Sequence, residues 1–251
     1  GERRLWSVVR VPSVDEEDAR HLHRELETLR DERTMHRNRM RSLLKLHGID
    51  FSNASRKDFA TSIETIRLWD GTMGPGELSA RLIREHERLR HVEEQIRTLE
   101  KEQRERIHRG YTDSYRRVAQ LMSLRGSGIT SAWVFEREFF GWRNFGNRRE
   151  VGACAGLTPT PYNSGESHRE QGISKAGNKR VRTLIVEISW SWLRYQPRSE
   201  LSRWFNERFA HGGKRMRRIG IVALARKLLI ALWRFRTHGL IPEGACLKAI
   251  V

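Results

Sequence analysis

A cluster of basic residues surrounds the start of a predicted helix in the second half of the chain. Asn178 is a natural N-cap for a helix from about Lys179 to Tyr195, because its side-chain oxygen can accept a backbone N–H. The basic residues at this helix start are Lys175, Lys179, Arg180 and Arg182. Their charge adds to the positive end of the helix dipole, so the segment attracts phosphate and disfavours cations unless an anion is bound.

A serine precedes this helix in a segment that the sequence predicts to be a loop. Two prolines within residues 156–165 exclude a helix, and the Asn-Ser-Gly run at the end of the segment favours a turn at which Ser164 is exposed. By itself, a serine in such a turn is more typical of turn structure than of catalysis. Ser164 is therefore a candidate for chemistry only if further observations support it.

A glycine turn is the second candidate phosphate site. Gly126 and Gly128 flank one small residue between two helical patterns, and such a turn can direct its amides outward. In a helix-hairpin-helix element, amides of this kind bind a DNA backbone without reading its sequence. An ordinary connector between two helices explains the same pattern equally well.

A third candidate is the basic run that begins at Lys214 and Arg215, directly after two glycines. Charge runs are usually solvated, yet this one starts a helix that is predicted at residues 216–237, and we favour contact with a nucleic-acid backbone. That helix has too many apolar residues for one surface stripe, so we predict that it lies at the core of its domain. Helical spacing likewise favours core positions over base stacking for Trp190, Trp192, Trp204 and Trp233.

The charge of the chain is concentrated in the half that contains these candidates. The 251 residues include 48 Lys and Arg against 31 Asp and Glu, a net charge of +17, and residues 111–251 account for +15 of it. Six of the eight tryptophans also lie in this half, which is untypical of a disordered basic tail. The sequence therefore predicts a folded, basic, nucleic-acid-binding half after a nearly neutral one.

Composition excludes several other classes of protein. No apolar run reaches the roughly 18 residues that span a bilayer, and no signal-peptide pattern opens the chain, so we expect a cytoplasmic protein without membrane contact. Cys154 and Cys246 cannot build a disulfide framework or a four-ligand zinc site. The ten histidines show no metal-ligand spacing, and we expect no cofactor in this chain.

The first half shows the alternating four- and three-residue spacing of a helical hairpin. Ser13 and Glu16 form a capping-box pattern at its start, and Gly48 ends the first run. The first seam comprises Leu22, Leu26, Leu29, Arg33, His36, Met40, Leu43 and His47, and the second comprises Leu78, Leu82, Glu85, Leu89, Val92, Ile96, Leu99 and Gln103. We predict an antiparallel coiled-coil arm at residues 13–110. The segment between its two long helices can fold into a short capping helix that contains Phe51, Phe59, Ile63, Ile66 and Trp69. The arm is either an intramolecular strut or a dimerisation arm, and its polar seam positions are solvated or paired.

The fold class predicted from these patterns is mainly α. The coiled-coil arm is followed by a basic helical domain at residues 111–251, which contains a helix-hairpin-helix-like element and a serine-bearing loop.

Several segments of the basic half occur in an order that is similar to a known family. They are residues 156–159 (Gly-Leu-Thr-Pro), the Ser-Gly step at residue 164, and residues 172–178 (Gly-Ile-Ser-Lys-Ala-Gly-Asn) followed by Arg182, after the glycine turn at residues 125–129. Together they resemble the C-terminal transposase domain of the insertion-sequence family usually called IS one-ten, which is related to the Piv-type DNA invertases. The resemblance covers residues 111 to about 240, with the helical arm before it in the order that the family shows.

The resemblance implies a DNA transposase that cuts and rejoins strands through a covalent serine intermediate. In that family this domain supplies the nucleophile, which corresponds to Ser164. Ser174 is the main alternative because it also borders glycines and basic residues, and Ser127 and Ser167 rank behind it. His168 is the nearby side chain that can act as a base at neutral pH. The DNA- and phosphate-binding candidates are Gly126, Gly128, Arg169, Lys175, Asn178, Lys179, Arg182, Lys214 and Arg215.

The resemblance also implies partners and a metal outside this half. Members of the family act with a structured bridge RNA that pairs with DNA, and an N-terminal RuvC-like domain holds Mg²⁺ through four acidic residues. Here the acidic cluster at residues 15–18 lies on a predicted helix start, whereas a RuvC-like domain carries its carboxylates on strands. We therefore expect residues 1–12 to be a remnant of, or a linker from, an upstream RuvC-like domain, with an echo of its last strand at residues 5–11. Without that domain we expect the transposase to be inactive.

Two other functions stay open on the sequence. One is a non-catalytic, dimeric DNA- or RNA-binding fragment of a decayed element, which affects transposition only by occupying sites. The other is a general chromatin-type binder, for which we expect steep salt dependence and no preference for structured RNA.

Overall fold

The computed structural model describes residues 10–49, 59, 63, 66–164 and 167–248, and for residues 161–171 it describes the backbone. These residues form two compact units. One is His21–Glu105, and the other combines the described residues before His21 with those from Arg106 onward. Within the described residues, no helix is long and apolar enough to cross a membrane. Of the predicted strand at residues 5–11, only residues 10 and 11 belong to the described part of the chain.

The first unit contains two long helices, α2 (His21–Leu46) and α3 (Gly76–Arg109). Ion pairs join Arg30 to Glu100 at 2.8 Å and Arg37 to Glu93 at 2.7 Å. From the first pair to the second, the residue number rises on α2 and falls on α3. The two helices are therefore antiparallel, as the sequence predicts. A coiled-coil supercoil and a role in dimerisation stay predictions.

Most of the apolar residues of the predicted seam are buried, and the start of the first helix differs from the prediction. The capping box at Ser13 and Glu16 is confirmed, but it starts a separate short helix, α1 (Val14–Asp18), and α2 begins only at His21. The interruption coincides with burial of the Arg20 guanidinium, which stacks 4.5 Å from the ring of Trp142. In addition, Leu44 rather than Leu43 is fully buried, since the α-helical repeat of 3.6 residues drifts from a strict heptad.

The segment between the two helices contributes to the core of the first unit. Phe59 and Ile63, which the sequence assigns to a capping helix, are helical and almost completely buried. Phe51, assigned to the same helix, lies outside the described residues. Ile66 and Trp69, assigned to the same helix, are not helical: Trp69 lies in a turn and is 84% exposed. The core cluster is formed by Met40, Leu44, Phe59, Ile63, Ile66, Leu78, Leu82 and Leu89.

A buried carboxylate lies in the middle of the antiparallel pair. The side chain of Glu85 is 3% exposed, and it accepts hydrogen bonds from His36 Nδ1 at 2.7 Å and Arg39 at 2.6 Å across the pair, and from Arg88 at 3.1 Å on its own helix. Burial raises the pKa of Glu85, but the hydrogen bonds from His36 and Arg39 outweigh it, so the net pKa lies below the ordinary value near 4.5. The polar seam residues His36 and Glu85 are therefore paired, and one paired site of this kind can specify helix register.

The second unit is built mainly from helices and has one antiparallel hairpin. Its helices are α4 (Asp113–Met122), α5 (Ile129–Val134), α6 (Arg148–Cys154), α7 (Lys179–Tyr195), α8 (Glu200–Phe205) and α9 (Lys214–His238), with π-helical extensions at Phe135–Phe140 and Asn206–Ala210. The hairpin pairs β1 (Pro159–Ser164) with β2 (Ser167–Ile173). The mainly α fold class is confirmed.

Helix α9 is the central helix of this unit, as its apolar content predicts. Its buried residues are Gly220, Ile221, Leu224, Ala225, Leu228, Leu229, Leu232 and Phe235. Near its C-terminal end, Arg236 donates two hydrogen bonds, at 2.9 and 2.8 Å, to the buried carboxylate of Glu136. Burial lowers the pKa of Arg236, but the bonds to Glu136 outweigh it and raise the pKa above its ordinary value.

The hairpin corrects one prediction. The sequence predicts a serine-bearing loop because Pro159 and Pro161 exclude a helix and the end of the segment favours a turn, but residues 159–164 form a strand with an irregularity between these two prolines. A strand of a two-stranded sheet has one unpaired edge, where the missing N–H of proline costs no ladder hydrogen bond. Ser164 is therefore the last residue of a strand.

The buried Glu85 leads to a test of pH-dependent stability. We expect Glu85→Gln to lower the free energy of unfolding at pH 7 by about 1–2 kcal/mol, because a charged acceptor of buried hydrogen bonds is removed. The folded-state pKa is depressed, so the stabilisation is complete above the unfolded pKa and is lost as pH falls through the folded pKa. The difference between the two proteins should shrink below about pH 4.5. Urea unfolding from pH 3 to 7 measures it, with Glu94→Gln, which alters an exposed pair on the same helix, as the control. An equal effect of both substitutions at every pH would contradict this role of Glu85.

Candidate nucleic-acid interface

The two sequence segments that precede and follow the hairpin are joined to each other by backbone hydrogen bonds. Asn178 N–H donates to Cys154 O at 2.9 Å, Lys175 N–H to Gly156 O at 3.1 Å, and Ser174 N–H to Thr158 O at 2.8 Å. The carbonyl of Cys154, the last residue of α6, thus receives its donor from Asn178, the N-cap of α7. We call residues 154–158 and 174–178 the junction; it holds the base of the hairpin between two helices.

Two glycines make this close approach possible. Gly177 has φ +138°, and a Cβ built on it would lie 2.4 Å from Cys154 O. Gly156 has φ +68°, and a Cβ there would lie 2.7 Å from Ala176 O. Both positions require a conformation that L side chains rarely adopt and a spacing that no side chain allows. These two glycines, which belong to the motifs of the family resemblance, are therefore packing requirements.

The predicted helix start is confirmed, and its basic residues divide into exposed and engaged groups. The side-chain oxygen of Asn178 accepts Val181 N–H at 3.0 Å, which is the predicted N-cap. Lys175 and Lys179 are exposed, and Lys175 has φ +56°. Arg182 is half-buried and donates to Ala155 O at 3.2 Å, so it braces the junction. Arg180 lies 3.3 Å from the buried carboxylate of Glu138.

The hairpin separates Ser164 from this helix start. Ser164 pairs with Ser167 at the tip, and Arg169 pairs with Tyr162 on the same hairpin. With a rise of roughly 3.3 Å per residue, the tip lies roughly 16 Å from Pro159 at the base. Of the predicted site residues, Arg169 shares the hairpin with Ser164, whereas Lys175, Lys179 and Arg182 belong to its base. The sequence suggests one cluster, and the structure separates it into two places.

A cavity of about 1090 Å³ lies between the hairpin base and the first half of α9. The basic residues that line it are Arg148, Arg149, Lys175, Lys214, Arg215, Arg218, Arg226 and Lys227. None of the described residues that line it is acidic. So dense a positive charge in a concave surface raises the local concentration of anions, and its length along α9 suits several phosphates better than one.

Four predicted residues line this cavity, namely Lys175 and three members of the predicted basic run, Lys214, Arg215 and Arg218, and four others were missed. The missed residues are Arg148, Arg149, Arg226 and Lys227. The spacing of residues 215, 218 and 226 on α9 is a signal that could have indicated one basic face, because residues three and eleven apart lie on one side of a helix. The contribution of α6 has no such signal, since only tertiary packing brings it to α9.

The glycine turn is integrated into the packing of its surroundings. Arg125 N–H donates to Cys246 O, Ser127 N–H to Leu124 O, and Gly128 N–H to Ser131 Oγ, at 3.0–3.2 Å. Gly126 packs against α7, where a Cβ would lie 3.5 Å from Ser191 O. These contacts favour a connector between helices. Phosphate binding by Gly126 and Gly128 stays a prediction.

The described residues contain no group of three or more His, Cys, Asp or Glu side chains arranged to hold a metal ion.

Comparison with known proteins gives consistent results. Residues 118–202, which run from α4 through the junction and the hairpin into α8, match the family described as "Transposase IS116/IS110/IS902 family". "Putative transposase y4rJ" of Sinorhizobium fredii is 40% identical over 99% of the chain and 64% of its own length. "Transposase for insertion sequence element IS1328" of Yersinia enterocolitica is 29% identical over 87% of the chain and 62% of its own length. "Probable family 20 transposase" of Pseudomonas aeruginosa is 26% identical over 90% of the chain and 65% of its own length. The chain thus spans just under two thirds of the length of these relatives.

The junction makes a steric prediction. We expect Gly177→Ala to destabilise the second unit by about 3 kcal/mol or more, because the methyl group adds a clash with Cys154 O to an unfavourable φ. Gly172→Ala is the matched control: its φ is +80°, but no atom lies within 4 Å of the added carbon, so we expect only about 1 kcal/mol of strain. Thermal or urea unfolding measures both. Equal destabilisation by the two substitutions would show that the close approach at residue 177 is unimportant.

Proposed function

We propose that this chain, which its family match and its relatives group with the IS116/IS110/IS902 transposases, binds DNA and supplies the serine nucleophile of strand cleavage and rejoining. The observation that best supports the proposal is the junction. Two of the segments on which the resemblance depends, residues 156–159 and 172–178, are joined in one structural unit. This unit holds a hairpin with Ser164 at its tip and, at its base, a cavity whose charged lining residues are all basic.

In the proposed reaction, Ser164 Oγ attacks the phosphorus of a DNA phosphodiester. The new Oγ–P bond replaces the bond from phosphorus to one deoxyribose oxygen, which leaves and takes up a proton, while the hydroxyl proton of Ser164 passes to a base. The phosphoserine retains the ester, so attack by a second deoxyribose hydroxyl rejoins a strand without ATP. A serine hydroxyl requires activation, and the attacked phosphate requires neutralisation.

The chain's own residues serve this reaction from two places. Arg169 shares the hairpin with Ser164 and is the nearest basic residue along the strands for neutralising the attacked phosphate. His168 pairs with Asn163, next to Ser164, and is our proposed proton acceptor. The exposed Lys175 and Lys179 at the hairpin base, together with the cavity arginines, hold the backbone several nucleotides away. Such remote contacts position the scissile phosphate.

The alternative serines differ in their surroundings. Ser127 is 4% exposed, with its hydroxyl 3.4 Å from that of Ser131, which is unfavourable for attack on DNA. Ser174 is half-buried in the junction, where its amide donates to Thr158 O, and this supports a structural role at the hairpin base. Ser167 pairs with Ser164 at the tip and is the remaining competitor.

Two further partners belong to the proposal. A structured guide RNA and self-association through the antiparallel helices follow from the family resemblance, and the charge of the second half supports an RNA partner as well as a DNA partner. The alternative of a non-catalytic DNA- or RNA-binding protein is supported by the same basic cavity, and the nucleophile test separates the two.

We expect Ser164→Ala to abolish covalent attachment to DNA while leaving DNA affinity unchanged within about twofold. The assay uses a labelled duplex with a nick near the cleavage site, with the chain alone and with a RuvC-like domain of the family added, and scores adducts that resist denaturing gels. Ser167→Ala and Ser174→Ala are the controls and should retain adducts. Adducts that survive Ser164→Ala would exclude this residue as the nucleophile, and a chain that binds DNA but forms none would favour the non-catalytic alternative.

The cavity makes a separate prediction on DNA affinity. We expect Arg215→Ala and Arg218→Ala each to reduce the slope of log affinity against log salt concentration by about 0.9 for each phosphate that the variant no longer neutralises. The control is Arg97→Ala, which removes the same charge from an exposed position of the first unit. Fluorescence anisotropy with a random duplex at 50–300 mM salt gives the slopes. If all three variants keep the slope of the unaltered chain, the cavity is not the DNA interface.

A further inference from the structure

The basic cavity has an apolar floor, which a duplex backbone does not require. Its apolar lining residues include Trp204, Ile219, Ile173 and Leu157, which we call the apolar floor, and Ile219 is 50% exposed. The backbone of duplex DNA offers phosphates and sugars to a groove and would leave this apolar surface poorly covered. A ligand that combines an anionic backbone with flat apolar faces matches both parts of the cavity.

Trp204 is held as part of this floor by aromatic packing. Phe209 packs edge-on against the Trp204 ring, with centroids 5.5 Å apart, and Phe209 itself lies against Gly220 of α9, where a Cβ would be 2.4 Å from the Phe209 ring. The absence of a side chain at Gly220 therefore allows α9 to hold the indole in place. An indole with a fixed orientation loses little entropy when a flat ligand stacks on it.

Cations from two elements surround the same ring. Lys227 Nζ lies 4.6 Å and Arg208 Cζ 5.7 Å from the Trp204 ring centroid. Lys227 also lines the cavity, so an aromatic surface and a phosphate-binding charge are adjacent. By contrast, Trp192 is 1% exposed and its indole N–H donates to Ser199 Oγ at 2.9 Å, which is the pattern of a core tryptophan. Trp204 differs in that it is half-buried and faces a cavity.

We propose that Trp204 is a stacking platform for an unpaired nucleobase, so that the cavity takes a single-stranded or locally melted segment of nucleic acid. The base lies on the apolar floor, and Lys227 and Arg218, which also line the cavity, bind the flanking phosphates. This inference rests on the nucleic-acid binding in the proposed function but does not depend on Ser164 chemistry. It goes against the sequence-based expectation that Trp204 is a core residue.

The test compares probes that differ only in their bases. Binding of the chain is measured with a 12-nucleotide oligodeoxythymidylate, the same strand with abasic sites in its central half, a 12-base-pair duplex and oligouridylate. We expect Trp204→Ala and Trp204→Leu to weaken binding of the intact single strands about 5- to 150-fold, the range for loss of one stacked base, and to leave the abasic strand and the duplex within about twofold. Trp204→Phe, which keeps an aromatic face, should retain most of the affinity. The two single-stranded probes show whether DNA or RNA is preferred.

Matched controls separate stacking from folding. Trp190→Ala removes a tryptophan that is 42% exposed on α7 and does not line the cavity, and we expect it to bind all probes normally. Trp204→Leu fills the floor with an apolar side chain, so it tests stacking even if Trp204→Ala unfolds. If Trp204→Leu weakens binding of the intact and abasic strands equally, or weakens binding of neither, the inference is overturned. Normal binding of the duplex by the same variant would leave the proposed function intact. Failure of the unaltered chain to bind any probe would contradict both.

Discussion

The close approach of two backbone segments at the junction is the constraint on which the second unit depends. Gly177 lies against the carbonyl of Cys154 with no room for a Cβ, and Asn178 then donates to the same carbonyl while its side chain caps α7. One contact therefore ends α6, starts α7 and closes the base of the hairpin. Because the approach tolerates no side chain, the direction in which the hairpin leaves the unit is set by glycine and not by side-chain packing.

Helix α9 contributes both to the core of the second unit and to its charged surface. Its apolar residues fill the core, where each fully buried Leu or Ile contributes about 1.5–3 kcal/mol, and its first turns present arginines to the cavity. At the other end, the buried pair of Arg236 with Glu136 joins the helix to the π-helical segment Phe135–Phe140. A substitution in the buried face of α9 is thus expected to change both stability and the shape of the cavity wall.

In the proposed function, the distance between the hairpin tip and its base sets how a nucleic acid is held. The strands carry Ser164 roughly 16 Å from the junction, so the residues proposed to bind the backbone and the serine proposed to attack it would contact different nucleotides. The proposed backbone contacts would then position the scissile phosphate without competing for it. Phosphates repeat identically along a strand, so phosphate contacts alone allow the strand to shift by one nucleotide. Stacking of an unpaired base on Trp204 would fix which nucleotide occupies the cavity.

Local sequence determined the elements whose signals are contained within a few residues. The capping patterns at Ser13 and Asn178, the antiparallel helices of the first unit and the apolar helix α9 were predicted correctly, since caps and helical periodicity are read from neighbouring positions. Tertiary structure decided the rest. The hairpin was predicted as a loop because its prolines exclude a helix, and they are compatible with a strand only beside an unpaired edge, which local sequence does not reveal. Arg148 and Arg149 joined the cavity only because α6 packs beside α9. The sequence identified which residues carry charge. Which of these residues lie close together was decided by the close packing at Gly177 and Gly220, because no periodicity in the sequence encodes such packing.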